Sequence, residues 1–297
     1  MKEIPKDKFT SLGKIYSYIN EPKILKKLAK YSNFLSQIIV SFQDYDNLYL
    51  ITKYFEGSNL HGFKNMIFSE DQIKFISACI IQSLNYLRKE EIIHRDVKMK
   101  NLVMDEDMYI NLIDFSFSIN YADTKKPENF FVISPLESPP ETRKFCSYDY
   151  NSDYYRIGVI IYYLIFKKYI NKIKDEISID KVYIDHTIIK NYSLNCLDFL
   201  NKLIVSDYKK RIGFKSINEL KEHVWFKGFN WSELEKKKMK SPLNYIKNTK
   251  TYCNGFKIKR KRKNKRLKKY DFVNKIIINK IFKAFKEENV KNTNIIT

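Results

Sequence analysis

The chain has 297 residues, 55 of them Lys or Arg and 34 Asp or Glu, which gives a formal net charge of +21. Hydrophobic residues make up 44% of the sequence, so a mainly disordered chain is excluded, and the length fits one large domain or two small ones. The longest apolar run, residues 157–166, is shorter than the roughly 20 residues of a membrane span, and no secretory leader is recognisable. The four cysteines are dispersed, which predicts reduced thiols in an intracellular protein, cytoplasmic or nuclear.

The first part of the chain predicts a small lobe that contains β-strands. Residues 20–30 carry apolar side chains at helical spacing, and Pro22 is expected to be tolerated only in the first turn of that helix. Residues 36–43 and 47–55 are rich in β-branched and aromatic residues and are joined by a short polar turn, which predicts a hairpin. The expected order is therefore a helix followed by a hairpin.

A larger, mainly helical lobe is predicted from residue 69 onwards. Residues 70–89 place isoleucines and leucines on one face, and Ser69 with Gln72 has the pattern of a capping box. An irregular segment, the strand-like residues 109–114 and then mostly helical patterns follow, with 157–166 as a buried central helix. These elements together predict an α+β fold.

Residues 257–269 form a separate basic segment with ten Lys or Arg and no acidic residue. Such a run is typical of a nuclear address, of a contact with an anionic surface or of a nucleic-acid contact. A solvated linker in a Lys-rich chain is an equally good interpretation. The sequence alone therefore does not decide among these interpretations of residues 257–269.

Five short motifs occur in a fixed order along the chain. They are HRDVKMKN at 94–101, DFS at 114–116, SPPE at 138–141, DYYRIG at 153–158 and DYKKR at 207–211. In this order they resemble the conserved motifs of the protein kinases, from the catalytic loop to a late arginine. The resemblance covers about residues 1–245. It implies a bilobal kinase-like fold with ATP and Mg²⁺ as cofactors and proteins as substrates.

The resemblance implies a role for each residue of the chemistry. Asp96 is the expected catalytic base, and Lys98 is expected to steady the γ-phosphate. Asn101 and Asp114 are the expected magnesium ligands, because this ion prefers oxygen donors. Lys98, two residues after the Asp, is typical of serine/threonine kinases.

Further roles follow from the same resemblance. Backbone groups of Lys53 and Phe55 are expected to bind adenine, with Val103 beneath the ring. Glu141 and Arg211 are expected to form a buried ion pair that anchors the activation segment. An apolar column, the regulatory spine, is expected to use Leu25, Ile38, His94 and Phe115.

The N-terminus resembles the interior of a kinase small lobe. Glu21 stands where the helix C glutamate is expected, and Lys2 lies 19 residues earlier, the spacing of the ATP-binding lysine in the AGC class of kinases. On this interpretation the first two strands and the glycine-rich loop are missing, because of a start assigned to an internal Met or because the sequence is a fragment. Alternatively, Lys2 is an ordinary surface lysine and the ion pair is lost.

The C-terminal part favours the AGC class, which includes the cyclic-nucleotide-dependent kinases. Residues 223–231 and 237–242 resemble the lobe end and tail of that class. Residues 282–285 resemble its hydrophobic motif, although an ordinary amphipathic helix explains them equally well. The sequence predicts a truncated small lobe at 1–54, which contains the third, fourth and fifth kinase strands and helix C. It is followed by a helical lobe at 55–231, an AGC-like tail at 232–256, and the basic and amphipathic segments at 257–297.

Several positions depart from the kinase pattern. Ser116 replaces the Gly of the metal-binding motif, and Ser lacks the free access to positive φ that Gly has, which predicts hindered switching of this loop. The phosphorylated Thr of the activation loop maps to Phe130, which leaves Arg95 without its usual phosphate partner. The acidic residues that read substrate arginines map to Asn59, Lys100 and Tyr163, so preference for basic substrates is not expected.

The sequence therefore predicts an ATP- and magnesium-dependent protein serine/threonine kinase with a truncated small lobe. The alternative is a pseudokinase, a binding or scaffolding module that keeps the fold without turnover. An in-frame glycine-rich motif about 20 residues upstream of Lys2 in the genomic DNA would favour the enzyme.

Overall fold

The structure is a computed structural model that describes residues 1–8, 12–31, 33–124, 134, 137–170 and 191–248. The chain divides into two compact units, Met1–Lys247 and Asn248–Thr297. The described elements lie in the first unit. The predictions for the basic segment, for residues 282–285 and for Phe130 lie outside the described residues.

The small lobe contains an antiparallel three-stranded sheet in the order β1-β3-β2. Its strands are β1 (Lys2–Pro5), β2 (Ile38–Gln43) and β3 (Asn47–Thr52), with helix α1 (Leu12–Leu28) between the first two. The predicted hairpin is confirmed as β2–β3, and the Asp44 carboxylate closes its turn by accepting the N–H groups of the second and third residues after it at 2.9 and 2.7 Å. The predicted order of helix and hairpin is also confirmed.

The predicted start of the small-lobe helix was wrong. Helix α1 begins at Leu12, and Pro22 lies in its interior instead of its first turn. An interior proline removes one helical hydrogen bond and costs about 3 kcal/mol, which is why the sequence favoured a later start. Here Glu21, Ile24 and Leu25 are buried around the proline, so packing of this part of the helix outweighs the local preference.

The large lobe contains four short strands and six α-helices among the described residues, together with short 3₁₀ helices. Strands β4 and β7 form one antiparallel pair, and β5 and β6 form another. The elements are α2 (Glu70–Lys89), β4 (Ile92–Ile93), β5 (Leu102–Met104), β6 (Ile110–Leu112), β7 (Ile119–Asn120), α3 (Pro140–Phe145), α4 (Tyr150–Phe166), α5 (Leu194–Leu203), α6 (Asn218–Glu222) and α7 (Trp231–Glu235). In the described part of the chain, no helix combines the length and apolar character needed to cross a membrane.

Two long helices form the centre of this lobe. The bounds of α2 match the prediction, and the capping box is confirmed: the Ser69 N–H donates to Gln72 Oε1 at 2.8 Å, and Ser69 Oγ accepts the Gln72 N–H. Helix α4 includes the predicted buried run. Gly158 lies at its contact with α5, where an added Cβ would come within 2.6 Å of Ile204 Cγ2. A larger residue there would push the two helices apart.

The segment after α7 packs against the β5–β6 turn. Lys237 Nζ lies 2.5 Å from Asp105 Oδ2, Ser241 Oγ donates to the Met108 carbonyl at 2.9 Å, and Tyr109 OH donates to the Met239 carbonyl at 2.6 Å. These contacts, together with buried residues Leu243 and Ile246, attach residues 236–247 to the large lobe.

Candidate active site

The loop at residues 94–101 is held in place by the buried carboxylate of Asp153 in α4. This carboxylate accepts the backbone N–H of His94 at 2.7 Å and that of Arg95 at 2.9 Å. Burial raises the pKa of Asp153 to about 6, although these two hydrogen bonds and nearby arginines act in the opposite direction. The α4 helix therefore sets the backbone position of the next residue, Asp96.

Three polar side chains surround Asp96. Its Oδ2 atom lies 2.7 Å from Lys98 Nζ and accepts a hydrogen bond from Asn101 Nδ2 at 2.9 Å. Its Oδ1 atom accepts a hydrogen bond from the hydroxyl of Ser134 at 2.7 Å, and Lys98 Nζ donates to the same hydroxyl at 3.2 Å. The structure thus brings three sequence-predicted residues together and orients the carboxylate towards a hydroxyl group.

Ser134 is a site residue that the sequence analysis missed. It lies 38 residues after Asp96 and has a positive φ of 49°. No periodic pattern marks the contact, because it joins two positions far apart in the sequence. The Ser134 hydroxyl lies 2.7 Å from Asp96 Oδ1.

The predicted ion pair of the small lobe is present. Lys2 Nζ in β1 lies 2.8 Å from Glu21 Oε2 in α1 and 3.4 Å from Asp114 Oδ1. Burial alone would lower the pKa of Lys2, but the charges of the two carboxylates raise it, so the ammonium stays protonated. The interpretation of Lys2 as an ordinary surface lysine is therefore not supported by its contacts.

Ser116 belongs to the same group of side chains. Its hydroxyl accepts a hydrogen bond from Lys2 Nζ at 2.5 Å, contacts Glu21 Oε2 at 3.3 Å and donates to Asp114 Oδ1. Burial alone would raise the pKa of Asp114, but Lys2 and the hydrogen bond with Ser116 lower it, which keeps this carboxylate ionised. The backbone of Asp114 has the positive φ in this motif, 64°, whereas Ser116 does not.

The donor set of Asn101 and Asp114 fits a magnesium ion bound together with phosphate. Asn101 offers its Oδ1 atom, because its amide nitrogen is already bonded to Asp96. Asp114 offers its carboxylate oxygens, and its side chain is 39% exposed. Within the described ranges no three His, Cys, Asp or Glu side chains cluster as a complete ligand set. Mg²⁺ commonly uses one or two carboxylates with waters and substrate phosphates, and the oxygens of Asn101 and Asp114 are donors of a suitable type.

The residues predicted to contact adenine follow β3 and lie in β5. The Lys53 N–H is bonded to the Gln37 carbonyl at 2.8 Å, and Phe55 is half-buried. Val103 is buried in β5. The chain passes close to β5 at Gly57, where an added Cβ would lie 2.4 Å from the Met104 carbonyl oxygen, so this approach requires glycine.

Two residues of the predicted spine contact each other. The rings of His94 and Phe115 are 5.0 Å apart in an edge-on arrangement. Burial lowers the pKa of His94 to about 4, so this histidine is neutral near pH 7 and serves packing instead of acid–base chemistry. Leu25 is buried and Ile38 is half-buried, and their place in the column stays a prediction.

A cavity of about 250 Å³ lies beside the Asp96 loop. Its lining includes Lys98, Lys100 and Tyr163 together with His61 and Glu137. Burial, followed by nearby lysines that include Lys100, lowers the pKa of His61, and burial raises the pKa of Glu137. Burial thus disfavours the charged form of both groups.

The other departures from the kinase pattern have local explanations. Asn59 caps a short 3₁₀ helix, Leu60–Phe63, by accepting the Gly62 N–H at 3.1 Å. Arg95 is buried, donates to the Phe117 carbonyl at 2.6 Å and lies 5.1 Å from the centre of the Tyr148 ring.

The predicted Glu141–Arg211 ion pair is confirmed. Both guanidinium Nη atoms of Arg211 contact the carboxylate, at 2.7 and 3.1 Å. Arg211 also donates to the carbonyl groups of Asn151 and Val205. The pair joins α3 to the segment after α5.

The fold and this arrangement of side chains together define a protein-kinase-like catalytic domain. The Protein kinase domain profile matches residues 1–226, so the chain belongs to the protein kinase family. Together with the relatives below, this match confirms the predicted AGC-like bilobal α+β kinase.

Curated relatives are serine/threonine kinases. The chain is 27% identical over 252 residues to sgk-1 of Caenorhabditis elegans, which covers 82% of this chain and 53% of the relative. It is 29% identical over 252 residues to the RAC serine/threonine-protein kinase of Drosophila melanogaster, covering 82% and 40%, and 27% identical over 239 residues to cGMP-dependent protein kinase 2 of Rattus norvegicus, covering 75% and 30%. The chain thus spans about half the length of these relatives or less.

Proposed function

We propose that this chain transfers the γ-phosphoryl group of ATP to serine or threonine hydroxyls of proteins, with Mg²⁺ as the required ion. The observation that carries the proposal is the group around Asp96, in which one carboxylate is bonded to Lys98 and Asn101 and faces the hydroxyl of Ser134. Phosphoryl transfer needs positioning and charge neutralisation more than covalent help, and this group offers both.

Each residue has a step in this mechanism. Asp96 Oδ1 would orient the substrate hydroxyl and accept its proton, in the place where it now accepts the Ser134 hydroxyl. Lys98 Nζ would neutralise charge on the transferred group. Asn101 and Asp114 would hold the ion, and Lys2, kept in place by Glu21, would contact the phosphates. When bound, magnesium neutralises phosphate charge.

A transfer assay with Mg·ATP and a mixed protein substrate tests the proposal. Phosphate incorporation on Ser or Thr that disappears with EDTA would support the enzyme. The second candidate, a pseudokinase that binds without turnover, is favoured by the change to Ser at position 116. It predicts nucleotide binding without transfer, both in this chain and in a version extended by any upstream glycine-rich loop that the genomic DNA encodes.

Asp114→Ala is expected to weaken binding of a non-hydrolysable ATP analogue at least tenfold in the presence of Mg²⁺ and to change it little in EDTA. The variant removes a magnesium ligand but leaves the 2.8 Å Lys2–Glu21 contact intact. Calorimetric titration measures both affinities. Asp46→Ala, at an exposed turn position, is the control. Full magnesium-dependent binding by Asp114→Ala would contradict the metal assignment.

Protein substrates with neutral or acidic side chains near the phosphorylated residue are part of the proposal. The cavity beside Asp96 presents Lys98 and Lys100. At the mapped positions Asn59, Lys100 and Tyr163 no carboxylate is present. A substrate arginine therefore loses there the charge-assisted hydrogen bonds that contribute about 1.5–3 kcal/mol each, and Lys100 repels it.

Lys100→Glu is therefore expected to shift the preference towards arginine-containing peptides by tenfold or more. The measurement is kcat/KM on a small panel of charge-varied peptides. Lys209→Glu changes the net charge equally at an exposed position outside the cavity and should leave the preference unchanged. A wild-type preference of tenfold or more for arginine peptides, about 1.4 kcal/mol in the opposite direction, would show that other residues read the substrate.

An intracellular location, cytoplasmic or nuclear, completes the proposal. Cys79, Cys146 and Cys196 are free thiols in the described part of the chain. A role of residues 257–269 in binding nucleic acid or an anionic surface stays a prediction, for which a steep loss of binding with salt is the test.

A further inference from the structure

Ser116 places a hydroxyl group at the third position of the metal-binding motif, where protein kinases usually have glycine. A glycine has no side chain, whereas the hydroxyl of Ser116 lies 2.5 Å from Lys2 Nζ and 3.3 Å from Glu21 Oε2 and donates to Asp114 Oδ1. The contacted residues come from strand β1, helix α1 and the segment after β6. Three separate parts of the fold therefore meet at one oxygen atom.

The hydrogen bonds of the Lys2 ammonium show how the Ser116 hydroxyl connects Lys2 to Asp114. The Lys2 ammonium has three donors, and its contacts are Glu21 at 2.8 Å, Ser116 at 2.5 Å and Asp114 at 3.4 Å. The direct contact with Asp114 is longer than the 2.7–2.9 Å typical of a charge-assisted hydrogen bond. The shorter route from Lys2 to Asp114 passes through the hydroxyl, which accepts from the lysine and donates to the carboxylate.

The surroundings make this hydroxyl hard to replace. Ser116 is buried, so water has little access to the space that a smaller side chain would leave. Asp114 has a left-handed backbone with φ of 64°, a conformation that aspartate adopts more often than most residues other than glycine. The Ser116 hydroxyl donates to the carboxylate of this residue.

We propose that Ser116 is a positioning residue that couples the Asp114 carboxylate to the Lys2–Glu21 ion pair. The functional consequence rests on the proposed function, in which Asp114 holds magnesium and Lys2 contacts phosphate. The hydroxyl orients the Asp114 carboxylate and the Lys2 ammonium before ligands bind. The entropy cost of ordering these side chains on binding is therefore smaller. A kinase with glycine at this position has no such link.

The first measurement tests the coupling in the full chain without nucleotide. The acetylation rate of Lys2 by acetic anhydride is followed by mass spectrometry, with exposed Lys100 as the internal reference. Ser116→Ala should raise the relative rate at least threefold, because Lys2 loses its shortest contact, and Ser116→Thr should stay closer to wild type. Ser118→Ala, which deletes a buried hydroxyl two residues away, is the matched control. Equal rates in wild type and Ser116→Ala, or an equal rise in Ser118→Ala, would overturn the proposal.

The second measurement tests the consequence for ligands. Ser116→Ala should weaken magnesium-dependent binding of a non-hydrolysable ATP analogue about tenfold, and Ser118→Ala should not. Unchanged affinity in Ser116→Ala would overturn the positioning role. If the wild-type chain binds no analogue at all, the proposed function fails, while the acetylation rates still decide whether Ser116 couples the three groups.

Discussion

Asp96→Asn should lower kcat for phosphoryl transfer by about 10²–10⁴-fold, the range that general acid–base catalysis contributes. The amide keeps the size of the side chain but cannot take the proton of the substrate hydroxyl. It also loses the 2.7 Å ion pair with Lys98, whose ammonium can turn to solvent because its side chain is 25% exposed. The loss should therefore appear in turnover more than in folding stability.

The assay follows phosphate transfer at saturating Mg·ATP, with a thermal melt of each variant. Asp107→Asn makes the same chemical change at an exposed position and should keep full turnover. Undiminished turnover in Asp96→Asn would remove the catalytic assignment. A large drop in melting temperature would instead show that the carboxylate mainly stabilises its loop.

Local patterns predicted the elements that depend on local interactions. Helix α2 has its predicted bounds because a capping box starts it and an apolar face runs along its length. The start of α1 was mispredicted because a local rule for Pro22 was weighed without knowledge of what the helix packs against. Its neighbour Glu21 is buried against Lys2, a contact between residues 19 positions apart.

In the candidate site, too, contacts between residues close in sequence could be predicted and contacts between distant residues could not. The motif containing Asp96 could be recognised because its residues are close in sequence. Ser134 could not, since its contact with Asp96 joins positions 38 residues apart. Ser116 was expected to affect the backbone through its lack of conformational freedom, but the positive φ in this motif lies at Asp114. The Ser116 hydroxyl instead contacts Lys2 and Glu21, and no sequence pattern predicts such contacts.

Glu141→Gln should lower the free energy of unfolding by about 3–5 kcal/mol, the cost of leaving a buried charge without its partner. The Arg211 side chain is 0% exposed and Glu141 is 12% exposed, so water cannot solvate the guanidinium in place of the carboxylate. Two parallel contacts at 2.7 and 3.1 Å add geometric specificity that a neutral amide cannot reproduce. Urea denaturation at an unchanged m-value measures the loss.

The double variant Glu141→Gln with Arg211→Gln separates the pair from its surroundings. Removing both charges avoids an unpaired buried ion, so the double variant should be more stable than the sum of the two single losses predicts, with a coupling energy above about 1 kcal/mol. Recovery should be partial, because Arg211 also donates to the carbonyl groups of Asn151 and Val205. Glu222→Gln, at an exposed position of α6, should cost under about 0.5 kcal/mol. If Glu141→Gln lowered the free energy of unfolding by less than about 0.5 kcal/mol, solvent would reach Arg211 and other contacts would anchor α3.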